Sequence, residues 1–144
     1  MKIFLFFMSL FSLATSPAQA KMVVIAHPEI KVEPTLEQIR QIYLGKLTSL
    51  DGKTPLEALD IAADSPLRTQ FLDLVVQKSQ GQLNQYWSRL VFTGKAVPPR
   101  KVASDQAVIE WVAQNKGAIG IIDSKLLNEK VNAIYSFREQ DLPK

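Results

Sequence analysis

The sequence contains no cysteine and a single histidine, and each absence excludes a class of chemistry. Without cysteine the chain has no disulfide, no thiolate metal site and no cysteine nucleophile. Without a second imidazole, His27 lacks the partners that a metal site needs, so we expect neither a metal nor a cofactor. No serine lies in a nucleophile elbow, and no pair of acidic residues is flanked by other catalytic signals. We therefore expect a protein that is not an enzyme.

Long hydrophobic runs are also scarce, and the longest one is close to the N-terminus. Lys2 precedes an almost unbroken apolar run from Ile3 to Leu13, and Ala18-Gln19-Ala20 follows as an A-x-A cleavage site. This pattern is typical of a secretory signal peptide, and the run is too short to predict a membrane span. We expect cleavage after Ala20, export to the periplasm without membrane insertion, and no lipid anchor on an N-terminal cysteine.

The remaining residues, 21–144, have the length of one domain, and no Gly/Ser-rich or Pro-rich linker divides them. The net charge of the full chain is +3, and the charged residues are scattered rather than run together. Such a mild, dispersed charge does not indicate a nucleic-acid partner. Because disulfides are absent, stability has to come from an apolar core.

Apolar periodicity predicts an α/β sandwich with a mixed sheet. The predicted elements are a buried strand at Met22–Ala26, a helix capped by Thr35 and closed by Gly45, a strand at about Leu56–Ala62, two helices separated by Gly81, a helix capped by Ser104, and strands at Ala118–Ile122 and Val131–Phe137. Trp87 and Trp111 fall on apolar helix faces, which predicts that both belong to the core.

The stretch around Ser65 is the strongest candidate for a binding site. A strand there runs directly into a helix, with Ser65 as the predicted N-cap and Pro66 at the first helical position. Free N–H groups of Leu67 and Arg68, together with the Arg68 guanidinium, would then face the crevice beyond the strand ends, where an anion binds readily. The alternative is that this is an ordinary helix start with no ligand.

Two further polar residues are candidates for the same crevice. His27 follows the first strand, and it would face the crevice beside Ser65 if the strands are parallel. Ser104, followed by Asp105, begins another helix, and there too a plain helix cap is the alternative.

Six short motifs follow one another along the chain: Val23-Val24-Ile25, Leu36-Glu37-Gln38-Ile39, Ile42-Tyr43-Leu44-Gly45-Lys46, Ser65 with Arg68 and Phe71, Phe92-Thr93-Gly94, and Gly117-Ala118-Ile119-Gly120. In this order they resemble the phosphate-specific periplasmic substrate-binding proteins of ABC transporters. The resemblance covers nearly all of residues 21–144. It implies one lobe of the two-lobed type 2 periplasmic-binding fold, as in the small stand-alone members of that superfamily.

The resemblance also implies binding of phosphate or another small oxyanion, at a junction that typically reads Gly-Ser-Gly-Thr in that family. Here Asp64, Ser65, Pro66 and Leu67 occupy the four positions, so only the serine hydroxyl remains. Pro66 removes one N–H donor, and Asp64 adds a negative charge at the helix start. We therefore expect weak phosphate binding, if phosphate binds.

Two functions follow from this pattern. The first is a soluble binding protein for phosphate or a similar oxyanion that serves ABC-type uptake or sensing. In a single lobe, a second copy or an envelope membrane protein would have to complete the site. The alternative is a non-catalytic interaction module that keeps the fold and docks on an envelope sensor, porin or transporter.

Overall fold

A mixed four-stranded β-sheet lies at the centre of the computed structural model, which describes residues 21–138 and 141. The predicted signal peptide, residues 1–20, lies outside the described residues. In chain order the elements are β1 Met22–Ala26, α1 Leu36–Tyr43, β2 Glu57–Ala58, α2 Arg68–Gln70, a π-helical segment Phe71–Val76, α3 Gln80–Phe92, α4 Asp105–Gln114, β3 Ala118–Asp123, a 3-10 turn Ser124–Leu126 and β4 Asn132–Ser136. The predicted α/β class with a mixed sheet is confirmed.

The strand directions determine which residues can share a site. The spatial order is β2-β3-β1-β4, with β1 antiparallel to both β3 and β4, and β2 parallel to β3. In register, Ala26 and Ala58 both lie opposite Ile119. Beyond these two residues the chain continues in opposite directions along β3, from β1 past Ala118 and from β2 toward Asp123.

The two faces of the sheet are covered by different helices. Alternate residues of β1 point to opposite sides: Val24 belongs to the cluster that contains Ile39 of α1 and Phe71 of the π-helical segment, whereas Val23 and Ile25 pack with α4. This arrangement is the predicted sandwich. No helix in the described part of the chain is both long and apolar enough to cross a membrane.

Local signals in the sequence account for α1. The Thr35 hydroxyl accepts a hydrogen bond from the Gln38 N–H at 3.2 Å, and the Gln38 side chain accepts one from the Thr35 N–H at 2.9 Å. This is the predicted capping box. The helix closes at Gly45, whose φ of +69° few other residues adopt. The indole of Trp87 lies so close to Gly45 that a Cβ there would be 2.9 Å from its ring.

The second strand is shorter than predicted. β2 covers only Glu57–Ala58, and Leu59 makes an isolated parallel bridge to Arg100. The backbone N–H of Arg100 donates to the Ala58 carbonyl, and the Arg100 carbonyl accepts from the Asp60 N–H, both at 2.8 Å. The connector before α4 therefore covers this edge of the sheet. The Ile61 N–H then donates a hydrogen bond of 2.9 Å to the Asp60 carboxylate rather than to a neighbouring strand. The strand therefore ends before the predicted Ala62.

The prediction of one long helix ended by Gly81 is wrong. The helix begins at Arg68, continues as the π-helical segment, and ends at Gln77 in the left-handed conformation, with φ +51°. Ser79 then starts α3 with a capping box of its own to Gln82. The capping serine and the left-handed glutamine thus separate the two helices, whereas Gly81 lies inside α3.

The two tryptophans lie at the edge of the core rather than within it. Trp87 and Trp111 are both half-buried, and each packs against a different core cluster. The guanidinium of Arg100 lies 4.4 Å from the centre of the Trp111 ring. Of the large apolar side chains of α3, only Leu83 is buried, and Val91 is 52% exposed.

Candidate functional site

An open crevice of about 920 Å³ lies beyond the carboxyl end of β2. One wall is α3, the other is the connector that precedes α4, and the floor is formed by the end of β2 and the start of α2. The polar lining consists of Asp60, Arg68, Gln80, Asn84, Ser88 and Lys101, and the apolar lining includes Phe71, Leu83, Trp87, Val91 and Pro98. Both walls of the crevice thus contribute polar as well as apolar side chains.

Arg68 lies in the crevice, as predicted, but its guanidinium is already engaged. One nitrogen pairs with the Asp60 carboxylate at 2.6 Å and also donates to the Ile61 carbonyl at 3.3 Å. The other two nitrogens donate to the side-chain oxygen of Gln80 at 2.8 and 3.1 Å. Only 15% of the side chain is exposed. An incoming anion would therefore compete with Asp60 for the positive charge.

Aromatic side chains fix the position of this ion pair. The guanidinium lies 5.3 Å from the centre of the Phe71 ring, and Phe71 packs edge-on against Tyr43 at 5.2 Å. The Tyr43 hydroxyl donates to the Leu59 carbonyl at 3.0 Å. Burial, and secondarily the charge of Asp60, raise the pKa of Tyr43 well above its ordinary value. The phenol thus remains protonated and holds the end of β2 in place.

The backbone donors predicted at the Ser65 junction are not free. The Leu67 N–H donates to the Ser65 hydroxyl at 3.2 Å, and the Arg68 N–H donates to the Ser65 carbonyl at 3.0 Å. The Leu67 side chain is completely buried. Neither Ser65 nor Leu67 is among the residues that line the crevice. The expectation that Ser65 and these N–H groups face the crevice together with the Arg68 side chain is therefore wrong, because the N–H groups form hydrogen bonds within the turn.

Three carboxylates lie near one another between this junction and α4. The Ser104 hydroxyl caps α4 by accepting from the Ala107 N–H at 3.1 Å. Burial, followed by the charges of Asp123 and Asp64, raises the pKa of Asp105, although a backbone hydrogen bond at Asp123 partly offsets the effect. The corner formed by Ser104 and the three aspartates, where Ser104 was expected to contact a ligand, therefore carries excess negative charge, which opposes an anion.

This corner predicts a pH-dependent stability. A raised pKa in the folded state means that Asp105 stabilises the fold best when protonated, and that this contribution is lost as pH rises from the ordinary value of 3.8 through the raised one. We expect Asp105→Asn to raise the free energy of unfolding slightly at neutral pH and to have no such effect well below the ordinary value. Urea unfolding at both pH values measures this.

The exposed carboxylate Glu33 provides the control for this measurement. Glu33→Gln removes a negative charge without touching the corner, so its effect on the free energy of unfolding should be similar at both pH values. An Asp105→Asn variant that was destabilised at neutral pH would contradict the interpretation.

His27 leaves β1 in the direction opposite to that in which β2 continues toward Asp60, and it does not line the crevice, so the expectation that it faces the crevice is wrong. That expectation required parallel strands, and β1 runs antiparallel to β3 and therefore opposite to β2. The ring accepts a local hydrogen bond from the Glu29 N–H at 3.2 Å, and Glu29 pairs with Lys116 at 3.0 Å. His27 therefore cannot contribute to a site at Arg68. Among the described residues, no group of three or more His, Cys, Asp or Glu side chains could hold a metal ion.

Sequence reasoning missed Asp60 and Gln80 as partners of Arg68. Asp60 falls at the end of a strand, a position at which polar residues commonly line a site, and this signal was available in the sequence. Gln80 lies twelve positions from Arg68, and its contact depends on the left-handed turn at Gln77. No local pattern predicts that turn, because glutamine rarely adopts positive φ.

Solved structures of bacterial phosphate transport proteins are similar to this chain. An ABC-type phosphate transport receptor from Vibrio cholerae matches 80% of the chain with a TM-score of 0.64 and 19% identity. A protein described as a phosphate ABC transporter substrate-binding protein, with bound phosphate, from Clostridium perfringens matches 87% with a TM-score of 0.65 and 19% identity. PstS from Borrelia burgdorferi matches 73% with a TM-score of 0.55 and 18% identity.

The matched regions are 45, 58 and 41% of those three chains, so this chain spans about half their length. Such low identity is informative about the fold only, and the prediction of one lobe of a periplasmic-binding fold is confirmed at that level. No family model and no curated protein matches the sequence.

Proposed function

We propose that residues 21–144 form an exported, non-catalytic binding protein for a small oxyanion of the phosphate class. The observation that carries this proposal is the position of Arg68, a cation on the floor of an open crevice, in a fold similar to that of phosphate-binding proteins. The predicted signal peptide would deliver the chain to the periplasm. There it would serve ABC-type phosphate uptake or sensing.

The same geometry predicts low affinity. The Asp60 carboxylate already neutralises Arg68, and the three aspartates near Ser104 add negative charge on the other side of the Ser65 turn. The backbone donors of that turn are satisfied internally. An oxyanion would have to share the guanidinium with Asp60, which suits a weak and readily released ligand.

The crevice is open to solvent, and a small anion usually needs a second wall that excludes water. The similar proteins are about twice as long, and the additional residues have no counterpart in this chain. A second copy of the chain or an envelope membrane protein would supply that wall. Binding should therefore be weaker in the isolated chain than in the completed assembly.

Calorimetry of residues 21–144 with phosphate and with sulfate tests the proposal. A carboxylate about 5 Å from an anion repels it by roughly 3 kcal/mol per unit charge at an effective dielectric of ~20. Because Asp64 does not line the crevice, distance and solvent screen most of this energy, and we expect Asp64→Gly to raise affinity by less than about fivefold.

Glu33→Gln serves as the charge control, because it removes an equal charge at an exposed position. Its affinity should equal that of the unmodified chain. If neither the unmodified chain nor the Asp64→Gly variant binds phosphate or sulfate at millimolar concentration, the oxyanion proposal is wrong.

A second candidate is the interaction module that keeps the fold and docks on an envelope protein. The observation that favours it is the exposure of large apolar side chains beside the crevice: Phe92 is 92% exposed and Val97 is 85% exposed. An anion-binding protein does not need such a surface, whereas a docking protein does. The absence of any oxyanion binding in the calorimetric series would leave this candidate in place.

A further inference from the structure

Basic residues are segregated along the chain. Between Asp73 and Asp105 the sequence contains five basic residues and no acidic one, and all 14 acidic residues of the chain lie outside this interval. The five are Lys78, Arg89, Lys95, Arg100 and Lys101. The interval includes α3 and the connector to α4, which are the two walls of the crevice. This interval therefore contributes five positive charges and no negative charge.

Three of these cations are available to a partner. Arg89, Lys95 and Lys101 are exposed, and none forms an ion pair with any residue of 21–138 or with Asp141. In contrast, Arg100 pairs with Glu57 and lies over the Trp111 ring. An exposed cation with no partner attracts anionic surfaces, and the attraction weakens as salt increases.

The most exposed large apolar side chains of the described residues lie in the same interval. Phe92 is 92% exposed and Val97 is 85% exposed, whereas the next, Val91, is 52% exposed. Between Phe92 and Val97 the chain turns at Gly94, whose φ is +65°. No atom lies within 4 Å of the position that an added Cβ would occupy there. The C-terminal end of α3 and the turn at Gly94 therefore form an exposed protrusion, which packs back on the body of the protein where Ala96 lies against Gly45.

We propose that this protrusion, residues 89–97, docks on an anionic phospholipid surface. Phe92 and Val97 would enter the interfacial layer, and Arg89 and Lys95 would contact phosphate headgroups. A basic segment that also presents exposed apolar side chains is the combination that holds peripheral proteins on such membranes. The proposal goes beyond oxyanion binding and does not depend on it.

The observations favour a lipid surface over two other occupants. A second copy that used the same face would bring two sets of uncompensated cations together, which is repulsive. A protein partner would need a preformed cavity around a phenylalanine that stands almost free of its own chain, whereas a lipid interface accommodates it without one. The expected binding is peripheral and reversible, because one turn carries only two protruding apolar side chains.

Cosedimentation of residues 21–144 with large unilamellar vesicles tests the proposal. One set consists of phosphatidylcholine alone, and the other contains equal parts of phosphatidylcholine and phosphatidylglycerol. We expect at least about tenfold more bound protein on the anionic vesicles, with most of the excess lost in high salt. Phe92→Ser and Lys95→Glu should each lower that excess severalfold, and the double variant should abolish it.

Matched controls lie outside this interval, in the connection between β3 and β4. Leu127→Ser removes an exposed leucine, 42% exposed, and Lys125→Glu reverses an exposed lysine. Both should bind anionic vesicles as the unmodified chain does, and all variants should retain its thermal unfolding midpoint. Equal binding to both vesicle types overturns the proposal, as does an equal loss for Phe92→Ser and Leu127→Ser. In either case an acidic protein segment would be the occupant to test next.

Discussion

Gly117→Ala is expected to destabilise the protein by about 3 kcal/mol and to lower its unfolding midpoint on the order of 10 °C. A Cβ at Gly117 would lie 2.1 Å from the carbonyl oxygen of Pro55 and 3.3 Å from its carbon. Because the obstacle is backbone, relief requires movement of the chain that leads into β2. That movement would strain the hydrogen bond from the Glu57 N–H to the Gly117 carbonyl, which is 2.8 Å long. Thermal and urea unfolding measure the loss.

Gly81→Ala is the matched control for this substitution. Gly81 lies inside α3, and the nearest atom to its added Cβ is the Ser79 hydroxyl oxygen at 4.0 Å. An alanine there should stabilise the helix by about 0.5 to 1 kcal/mol, because it restricts the unfolded chain at no steric cost. The two glycine substitutions should thus change stability in opposite directions. A Gly117→Ala variant as stable as the unmodified chain would contradict the close approach of Pro55 to β3.

The largest gain in phosphate affinity is expected from Asp60→Asn. The substitution removes the carboxylate that lies 2.6 Å from the Arg68 guanidinium, so the cation becomes available to an external anion. With the same Coulomb estimate of roughly 3 kcal/mol per unit charge, reduced to about 2 kcal/mol by screening, affinity should rise about thirtyfold. Calorimetry measures the affinity, and phosphate should also raise the unfolding midpoint of the variant more than that of the unmodified chain.

Two further variants make this result specific. Glu57→Gln breaks the ion pair with Arg100, which is half exposed and lies outside the crevice floor, and it should not change affinity. Adding Arg68→Ala to Asp60→Asn should abolish binding. A gain from Asp64→Gly that exceeds the gain from Asp60→Asn would mean that the anion binds beside Ser65 rather than at Arg68. No difference between Asp60→Asn and Glu57→Gln would contradict a site at Arg68 altogether.

The parts of the fold that local chemistry determines could be predicted from the sequence. The apolar run of β1 and the Thr35 capping box each depend on residues within a few positions of one another, and the structure confirms both. The order of elements and the mixed sheet also follow from such patterns. The α/β class could therefore be predicted without any knowledge of long-range contacts.

Other features depended on contacts between distant residues, and the sequence did not predict them. Strand polarity decides the position of His27, and polarity depends on pairing with β3, more than ninety residues later. The length of β2 depends on Arg100, which covers its edge. The state of Arg68 depends on Gln80, which a left-handed glutamine brings into reach. The sequence predicted that Arg68 faces the crevice, where the structure places it, but not the contact with Gln80 that engages its guanidinium.

The walls of the crevice are attached to the same short piece of chain, and this affects how a ligand would exchange. The connector wall is fixed by the two backbone hydrogen bonds of Arg100 to Ala58 and Asp60. The α3 wall is fixed through Gln80 to Arg68, which pairs with Asp60. Neither wall can swing over a ligand without breaking these bonds, so a hinge closure of the kind that traps ligands between two lobes is not available within this chain. Residence time would then depend on direct contacts alone, and exchange would be fast and ungated.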